Sequence, residues 1–403
     1  MPGEQPTLEL SGGSCGVFSR RQILGAIGAG LIGSDDPIPQ TNVQPASLDL
    51  RLGVVAYAMR CSFLPGKDTV ERKLREHLIA EIDLRGPGAL LETNRAYLVP
   101  LKERLALPPQ VRAKANPKSS TGRVDVFTRV VTDHGSRFDE VAPGYQGPLY
   151  LEVVPLSFAV SVREGLALNQ LRLSVGRTQL SDEEVVAFHQ ETHHLLMRQG
   201  APVPGGELAL ADGLFLSLDL KGDREGRVGY RSKQSAPRLD LSGTRAIDPA
   251  PYFEAVRREP GNRIVLDPHR FYLLMSEESV SIPPELASEM TAYDPTSGEL
   301  RTHYAGFFDP GFGFDVGPND GSRAALEVRA HDVPFMIEHR QRVCKLTFDR
   351  MLEPPDVLYG SGIGSSYQRQ QETLGKHFKR PDHRGSPISQ PDQQRFSLDD
   401  EIR

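Results

Sequence analysis

The sequence contains no tryptophan and only three cysteines, Cys15, Cys61 and Cys344, which lie far apart. An odd number of distant cysteines provides neither a disulfide framework nor a Cys-x-x-Cys metal site. We therefore expect a reducing, cytoplasmic setting. Long apolar runs are also absent, since the stretch from residue 23 to residue 32 is interrupted by three glycines. It is far shorter than the roughly 20 residues that a membrane span needs.

The sequence also lacks an excess of positive charge, because its net charge is −6 at pH 7. This balance argues against a dedicated nucleic-acid binder, although a local group of cations can still hold a small anion. No stretch has the pattern of a signal peptide. We expect neither a membrane nor a nucleic acid as partner.

Two domains are expected from a chain of 403 residues with 38% hydrophobic residues. From residue 47 to residue 53 polar and apolar side chains alternate, which is typical of a half-buried strand. Short runs of this kind recur between Gly/Pro turns, and they predict a β-sandwich or barrel-like core. Helices are expected at Arg20 to about Leu31 and, after the capping box at Ser181, up to about Gln199.

The second half of the chain repeats the first in diverged form. The segment Ser47-Leu48-Asp49-Leu50 recurs 170 residues later, and two further segments recur 175 residues later: Tyr97-Leu98 and Leu151-Glu152-Val153. Their common order and near-constant offset predict a tandem duplication of one β-rich domain. We expect a first domain at 1–200, a second at 201–352, and a C-terminal lid or tail at 353–403.

A cationic turn distinguishes the first copy. The segment Lys118-Ser119-Ser120-Thr121-Gly122-Arg123 combines hydroxyls, a glycine and two cations, which suits an anion such as phosphate. A solvated polar turn is the alternative, because these are ordinary turn residues. The corresponding second-copy turn, residues 294–300, has neither cation. That copy has instead a compact hairpin from Ala305 to Phe312.

A cluster of histidines, His189, His193 and His194, has the i, i+4 spacing of a zinc protease helix. Residue 190 is glutamine rather than glutamate, and no third ligand is apparent. We therefore expect an exposed polar helix face here and no zinc.

These segments together resemble the deoxycytidine triphosphate deaminases of the trimeric dUTPase-like superfamily. The resemblance rests on an N-terminal helix followed by residues 45–53, the Ser119-Ser120-x-x-Arg123 turn, the hairpin at 305–312, a Leu-Glu-Val strand, and a tail with Tyr359 and residues 366–370. The family is normally a homotrimer of single-domain subunits with active sites between neighbours. This sequence departs from that pattern by carrying two unequal copies.

The resemblance implies a mainly β fold of two tandem dUTPase-like β-barrel or jelly-roll domains with few helices. It implies hydrolytic deamination of dCTP to dUTP and ammonia, feeding dUMP and dTTP synthesis, by a metal-free glutamate general-base mechanism. The implied catalytic residues are Glu327 or Glu152, with Ser119 and Arg123. The implied nucleotide-binding residues are Lys118, Ser120, Ala305, Asp309, Tyr359, Tyr367 and Gln370, with Mg²⁺ bound to the triphosphate.

The unequal copies suggest a composite site, in which the first-domain turn faces the second-domain hairpin and Glu327. The expected assembly is a homo-oligomer that forms pseudo-trimers of domains. Three alternatives stay open at this point. In the first, Glu152 is the base and the second domain serves as a scaffold. In the second, the chain is a dUTP diphosphatase or a bifunctional deaminase and diphosphatase. In the third, it is a non-catalytic nucleotide-sensing module.

Overall fold

The computed structural model describes residues 15–292, 300–302, 306–315, 321–330, 332–361, 367–370 and 372–379. The fold is mainly β with a few short helices, as the sequence predicts. Three features discussed above lie outside the described residues: Ala305, most of the second-copy turn at 294–300, and Ser366 of the tail.

Among its described residues, the first half of the chain contains three short helices, α1 (Arg20–Gly28), α2 (Val70–His77) and α3 (Ser119–Gly122). Its strands are β1 (Gly16–Val17), β2 (Ile32–Ser34), β3 (Leu48–Arg51), β4 (Val55–Met59), β5 (Leu78–Asp83), β6 (Ala89–Leu91), β7 (Tyr97–Ala106), β8 (Val111–Pro117), β9 (Val126–Thr132), β10 (Glu140–Val141), β11 (Gln146–Pro155), β12 (Val160–Val162) and β13 (Ala167–Val175).

The second half begins with helix α4 (Asp182–Glu191). Its strands are β14 (Leu196–Arg198), β15 (Ala201–Pro202), β16 (Leu214–Ser217), β17 (Arg227–Ser232), β18 (Leu239–Asp240), β19 (Phe253–Arg257), β20 (Arg263–Leu266), β21 (Phe271–Val280), β22 (Leu286–Ala292), β23 (Leu300–Thr302), β24 (Phe307–Phe308), β25 (Ser322–Ala330), β26 (Phe335–Glu338) and β27 (Arg342–Arg350). Two 3₁₀ turns lie at Gln40–Asn42 and Gly205–Glu207.

Each half is built around two antiparallel sheets that enclose an apolar core. In the first half, one sheet has the order β1-β13-β8-β10 with β3 on β13, and the other has the order β5-β4-β7-β11-β9 with β2 on β7. In the second half, β16-β27-β22-β24 form one sheet, and β15-β14-β21-β17-β19 with β25 and β23 form the other. This two-sheet arrangement is that of a β-sandwich.

The register of the strands confirms the tandem repeat. Strands β8 and β22 begin 175 residues apart, and so do β13 and β27. Glu152 on β11 lies opposite Leu98 of β7, and Glu327 on β25 lies opposite Leu273 of β21. Because the two pairings correspond residue for residue, Glu152 and Glu327 occupy equivalent places in the two copies.

The helices differ in part from the expected bounds. Helix α1 begins after Ser19 with a capping box, as predicted, but ends at Gly28. Helix α4 also begins with its capping box, after Ser181, but ends at Glu191, and β14 follows where the sequence predicted helix. Its buried Val185 packs in the core of the second half. The domain boundary near residue 200 stays a prediction, and this packing favours a boundary closer to α4.

The two halves share a continuous apolar contact. Phe158 of the first half meets Tyr252 and Phe253 of the second, with ring centroids 5.5 and 5.3 Å apart. The same cluster takes in Leu374 and Phe378 from the C-terminal segment. The sequence predicts a lid or tail at 353–403, and within it residues 372–379 are packed against the rest of the fold. Most of their side chains are buried, because both halves offer them apolar surface.

Candidate active site

A cavity of about 570 Å³ lies between the two halves and the C-terminal segment. Its volume is within the usual range for a small-molecule site, roughly 300–1,000 Å³. Nine of the eleven predicted site residues line it: Lys118, Ser119, Ser120, Arg123, Asp309, Glu327, Tyr359, Tyr367 and Gln370. The tenth, Ala305, lies outside the described residues, and its neighbour Gly306 lines the cavity. Glu152 does not.

The cationic turn of the first half forms the single helical turn α3, which directly follows β8. The Nε atom of Arg123 donates a hydrogen bond of 3.0 Å to the Ser119 hydroxyl. Gly122 leaves room for the second half, because a methyl group added there would lie 2.8 Å from the carboxyl carbon of Glu327. The turn and Glu327 are therefore in direct contact across the domain interface.

Glu327 reaches the cavity because side chains alternate along a strand. Its neighbours Leu326 and Val328 are fully buried in the second core, so the Glu327 carboxyl points to the opposite face. Only 7% of Glu327 is exposed. Burial raises its pKa well above the ordinary value, the Arg123 guanidinium opposes that rise, and Asp125 adds to it.

The C-terminal segment holds Arg123 in place. The guanidinium lies over the ring of Tyr367, 3.8 Å from its centroid. One of its terminal nitrogens donates to the Gln370 amide oxygen at 2.7 Å, and the other donates to the Thr373 carbonyl at 3.3 Å. Arg123 is 2% exposed, so the side chain is fixed from several sides.

Asp309 of the hairpin is held by residues of the first half. Its carboxylate accepts a bond of 2.9 Å from Arg172 and one of 3.3 Å from the Ser47 hydroxyl. Burial raises the pKa of Asp309, and Arg172 opposes that effect. The Arg172 guanidinium also lies 3.9 Å from the ring centroid of Phe307. Nothing in the local sequence of β13 indicated this role for Arg172.

Further cavity residues escaped the sequence analysis. Lys118 pairs with Asp49, which belongs to the repeated Ser-Leu-Asp-Leu segment and could have been proposed from it. Arg20, Gln170 and Lys376 also line the cavity, and no motif in the sequence indicates them. They come from distant parts of the chain, so only the tertiary fold brings them together.

Glu152 has an entirely different environment. Its carboxylate is paired with Arg129, whose Nε lies 3.0 Å from Oε1. The Arg129 guanidinium is itself enclosed by the rings of Phe127 and Phe138, at 4.7 and 3.6 Å, and donates to the Ser62 hydroxyl at 2.8 Å. Residues of the first half therefore occupy the space around Glu152 that corresponds to the cavity at Glu327.

The histidine cluster forms part of the fold. His189 is buried, and its ring nitrogens contact the Val203 carbonyl at 2.7 Å and the Leu195 N–H at 3.0 Å. The expectation of an exposed polar helix face is therefore wrong for His189. His193 and His194 lie beyond the end of α4, so they do not share a helix face with His189.

Within the described residues, one group of side chains has the spacing of a metal site: Asp219, Glu277 and His339. Both carboxylates already face arginines, with Arg323 2.6 Å from Asp219 and Arg340 3.5 Å from Glu277. The Nδ1 atom of His339 accepts from a backbone N–H at 3.2 Å. Salt bridges account for this group, which lies outside the cavity.

The fold and the cavity define the class. The chain is a tandem pair of dUTPase-like β domains with a cavity between them, in which a buried carboxyl meets a serine- and arginine-bearing turn. No helix in the described part of the chain is long and apolar enough to cross a membrane.

Comparisons with known proteins agree with this class. The N-terminal domain model of 2′-deoxycytidine 5′-triphosphate deaminase matches residues 14–177, and the C-terminal domain model matches residues 181–378. The chain belongs to this deaminase family. The crystal structure of 2′-deoxycytidine 5′-triphosphate deaminase from Agrobacterium tumefaciens is 44% identical, with a TM-score of 0.81, and the match covers 87% of this chain and 100% of that one.

Shorter relatives match part of the chain. The dCTP deaminase of Natronomonas pharaonis is 33% identical over 135 residues, which are 33% of this chain and 66% of that protein. The Corynebacterium glutamicum protein named "dCTP deaminase, dUMP-forming" is 29% identical over 161 residues, which are 38% of this chain and 77% of that protein.

Proposed function

We propose that the chain hydrolytically deaminates dCTP to dUTP and ammonia in the cavity between its two halves, with Glu327 as general base. The observation that carries the proposal is the buried carboxyl of Glu327 in contact with the Ser119 to Arg123 turn. Family membership supplies the reaction type, and the cavity supplies the residues for it.

The raised pKa of Glu327 suits this role. A base works best when its pKa lies near the working pH, because it must accept a proton and later release it. In the proposed reaction Glu327 takes a proton from water as the oxygen adds to C4 of cytosine. It then returns the proton as the C4–N bond breaks and ammonia leaves. No metal takes part in these steps.

Ser119 and Arg123 would hold the attacking water and stabilise the oxyanion that develops at C4. The Arg123 guanidinium is suited to this, because it is buried, rigidly held and close to Glu327. Fixed donors of this kind need no reorganisation during the reaction. Backbone groups around Ala305 would read the cytosine edge, and Asp309 would lie beside the sugar.

Magnesium would enter this site with the triphosphate. The ion usually keeps several waters and binds phosphate oxygens together with one or two carboxylates. Asp49 fits that requirement, because its Oδ1 atom has no hydrogen-bond partner among the residues that the structure describes. Bound there, Mg²⁺ would neutralise part of the phosphate charge. Zinc has no part in the proposal.

A second activity at the same site, release of pyrophosphate to give dUMP, is the alternative that the comparisons favour. Several relatives carry the name "dCTP deaminase, dUMP-forming". Diphosphatase chemistry needs a hairpin carboxylate that orients water at a phosphate. Asp309 is that carboxylate, but Arg172 and Ser47 already engage both of its oxygens. This contact pattern favours deamination alone.

One assay separates these functions. The purified chain is incubated with dCTP and then with dUTP, and ammonia and pyrophosphate are followed. Ammonia alone is the expected result. Pyrophosphate in addition would establish the dUMP-forming activity, and retained binding without either product would make the chain a nucleotide-sensing module.

Assembly into pseudo-trimers of domains remains part of this proposal. Both halves of the composite site belong to one chain, so a neighbouring chain is not needed to complete the described cavity. Sedimentation equilibrium at several protein concentrations measures the oligomeric state directly.

A further inference from the structure

The cations of the cavity differ in how they are paired. Lys118 pairs with Asp49, and Arg20 lies 3.3 Å from Asp356. Arg123 is held by the C-terminal segment. Lys376 also lines the cavity, and no carboxylate of the described residues lies within salt-bridge distance of it.

The backbone of Lys376 is firmly positioned. Its N–H donates to the Tyr367 hydroxyl at 3.1 Å, and its carbonyl accepts from the Arg245 N–H at 2.7 Å. The next residue, His377, is buried and contacts the Gly243 carbonyl at 2.9 Å. These contacts attach the segment to the second half, and the bond from Arg123 to the Thr373 carbonyl attaches it to the first.

The charges around Lys376 favour an anion. Burial lowers its pKa, the Lys118 ammonium lowers it further, and Asp49 is the group that opposes both. Two cations thus line this end of the cavity, and Asp49 forms a salt bridge with Lys118 and not with Lys376. Phosphate oxygens between the two ammonium groups would replace their repulsion by attraction.

The tail residues that the sequence assigned to the nucleotide are already engaged within the protein. The Tyr359 hydroxyl accepts from the Tyr367 N–H at 3.2 Å, and the Tyr367 hydroxyl accepts from Lys376. The Gln370 amide joins Arg123 to the carbonyl of Arg323. These groups hold the tail and Arg123 in place. Other residues must therefore balance the negative charge of the outer phosphates.

We propose that Lys376, together with Lys118, binds the terminal phosphates of the nucleotide and so sets the preference for a triphosphate over a monophosphate. This inference rests on the proposed function, since it takes a nucleotide as the occupant of the cavity. Lys376 acts here as a binding and specificity residue rather than a catalytic one, so its substitution should change the dissociation constant of the nucleotide.

Equilibrium binding of dCTP and dCMP to Lys376→Met tests the proposal, in a Glu327→Gln background that prevents turnover. Loss of a charge-assisted contact should weaken dCTP binding roughly tenfold to a hundredfold. Binding of dCMP should change less than about threefold, since it lacks the outer phosphates. Lys376→Arg should keep most of the preference. The matched control is Lys379→Met, an exposed lysine of the same segment, which should bind both nucleotides unchanged.

Equal weakening for dCTP and dCMP, or none for either, would overturn the proposal. Thermal unfolding of Lys376→Met identifies a variant that fails to fold, and Lys376→Arg then carries the test through the dCTP-to-dCMP ratio. A chain with intact Glu327 that binds dCTP but releases no ammonia contradicts the proposed function and leaves the Lys376 result intact. The two failures are therefore distinguishable.

Discussion

Glu327 and Glu152 occupy equivalent places in the two copies, yet their surroundings differ in charge. Glu327 is buried beside a cavity, with Arg123 and Asp125 acting on it from a distance. Glu152 is tied to Arg129. Glu152 is paired with Arg129 and does not line the cavity, whereas the Glu327 carboxyl forms part of the cavity wall, where it can exchange a proton with a bound water.

Substitution by glutamine should therefore lower activity at Glu327 and lower stability at Glu152. Glu327→Gln should lower kcat by about 10²–10⁴-fold, the usual contribution of a general base. Glu152→Gln should leave kcat near the wild-type value and reduce the free energy of unfolding by about 1.5–3 kcal/mol, because Arg129 loses its charged partner. Steady-state ammonia release and urea unfolding measure the two effects. Full activity in Glu327→Gln would exclude the composite site.

Glu327 should also make stability depend on pH. Because burial raises its pKa, the folded chain binds this proton more tightly than the unfolded chain does. The resulting stability is fully present below the ordinary glutamate pKa of 4.5 and is lost as the pH rises through the raised pKa. Glu327→Gln removes this loss.

The melting temperature of Glu327→Gln, relative to that of the wild type, should therefore increase as the pH rises from about 5 to about 8. Differential scanning calorimetry of both chains in matched buffers measures the difference. Glu152→Gln is the control, since its site lies outside the cavity. A difference that stays constant with pH would mean that Glu327 is not buried in this way.

At the scale of elements, the C-terminal segment is a structural part of the site. Phe378 packs against the rings of Tyr252 and Phe253, with centroids 5.5 and 5.4 Å away. The segment between Thr373 and Lys376 contacts Arg123 and lines the cavity. Docking of Phe378 thus determines where two of the cavity's cations lie.

Phe378→Ala should release this segment. Truncation of a buried phenylalanine costs about 3–5 kcal/mol, which is enough to undock a short terminal segment. We expect a KM for dCTP at least about tenfold higher and faster proteolysis near the C-terminus. Phe335→Ala, which truncates a partly buried side chain packed against the core of the second half, should lower stability without changing KM. Equal KM values for the two variants would contradict the role of the segment.

For the whole molecule, the decisive feature is that one chain supplies both parts of the site. The turn at Ser119 comes from the first half and Glu327 from the second. Ion pairs link the same halves, including Arg329 with Asp125 and Lys114 with Glu289 at 2.7 Å. Duplication thus allows each copy to lose one part of the site while the chain keeps both.

Mixing two inactive variants tests whether the site lies within one chain. Ser119→Ala and Glu327→Gln chains, differently tagged, are co-expressed, and any hetero-oligomer is isolated through both tags. We expect no recovery of ammonia release, because each chain lacks one part of its own site. Two differently tagged wild-type chains, co-expressed and isolated in the same way, serve as reference. Recovery toward a quarter or more of the reference activity would place the site between chains.

Several features followed from local sequence. The capping boxes at Ser19 and Ser181 marked two helix starts, because a side chain that caps a helix acts within three residues. Alternation along a strand places Glu327 on the face opposite Leu326 and Val328, and this is legible in the sequence itself. The end of α4 was misjudged, because β14 pairs with β21, about 80 residues downstream, and pairing at that distance leaves no periodic mark in the sequence.

The sequence alone determined the fold class and the duplication, since these depend on periodicity and on repeated motifs, and the family resemblance supplied nine of the residues that line the cavity. The tertiary structure decided which glutamate faces the cavity, that Lys376 lines it, that Arg172 holds Asp309 there, and that the tail is docked. Burial and ion pairing depend on contacts between residues far apart in the chain. Glu152 and Glu327 have equivalent strand positions, and only their neighbours in space make them different.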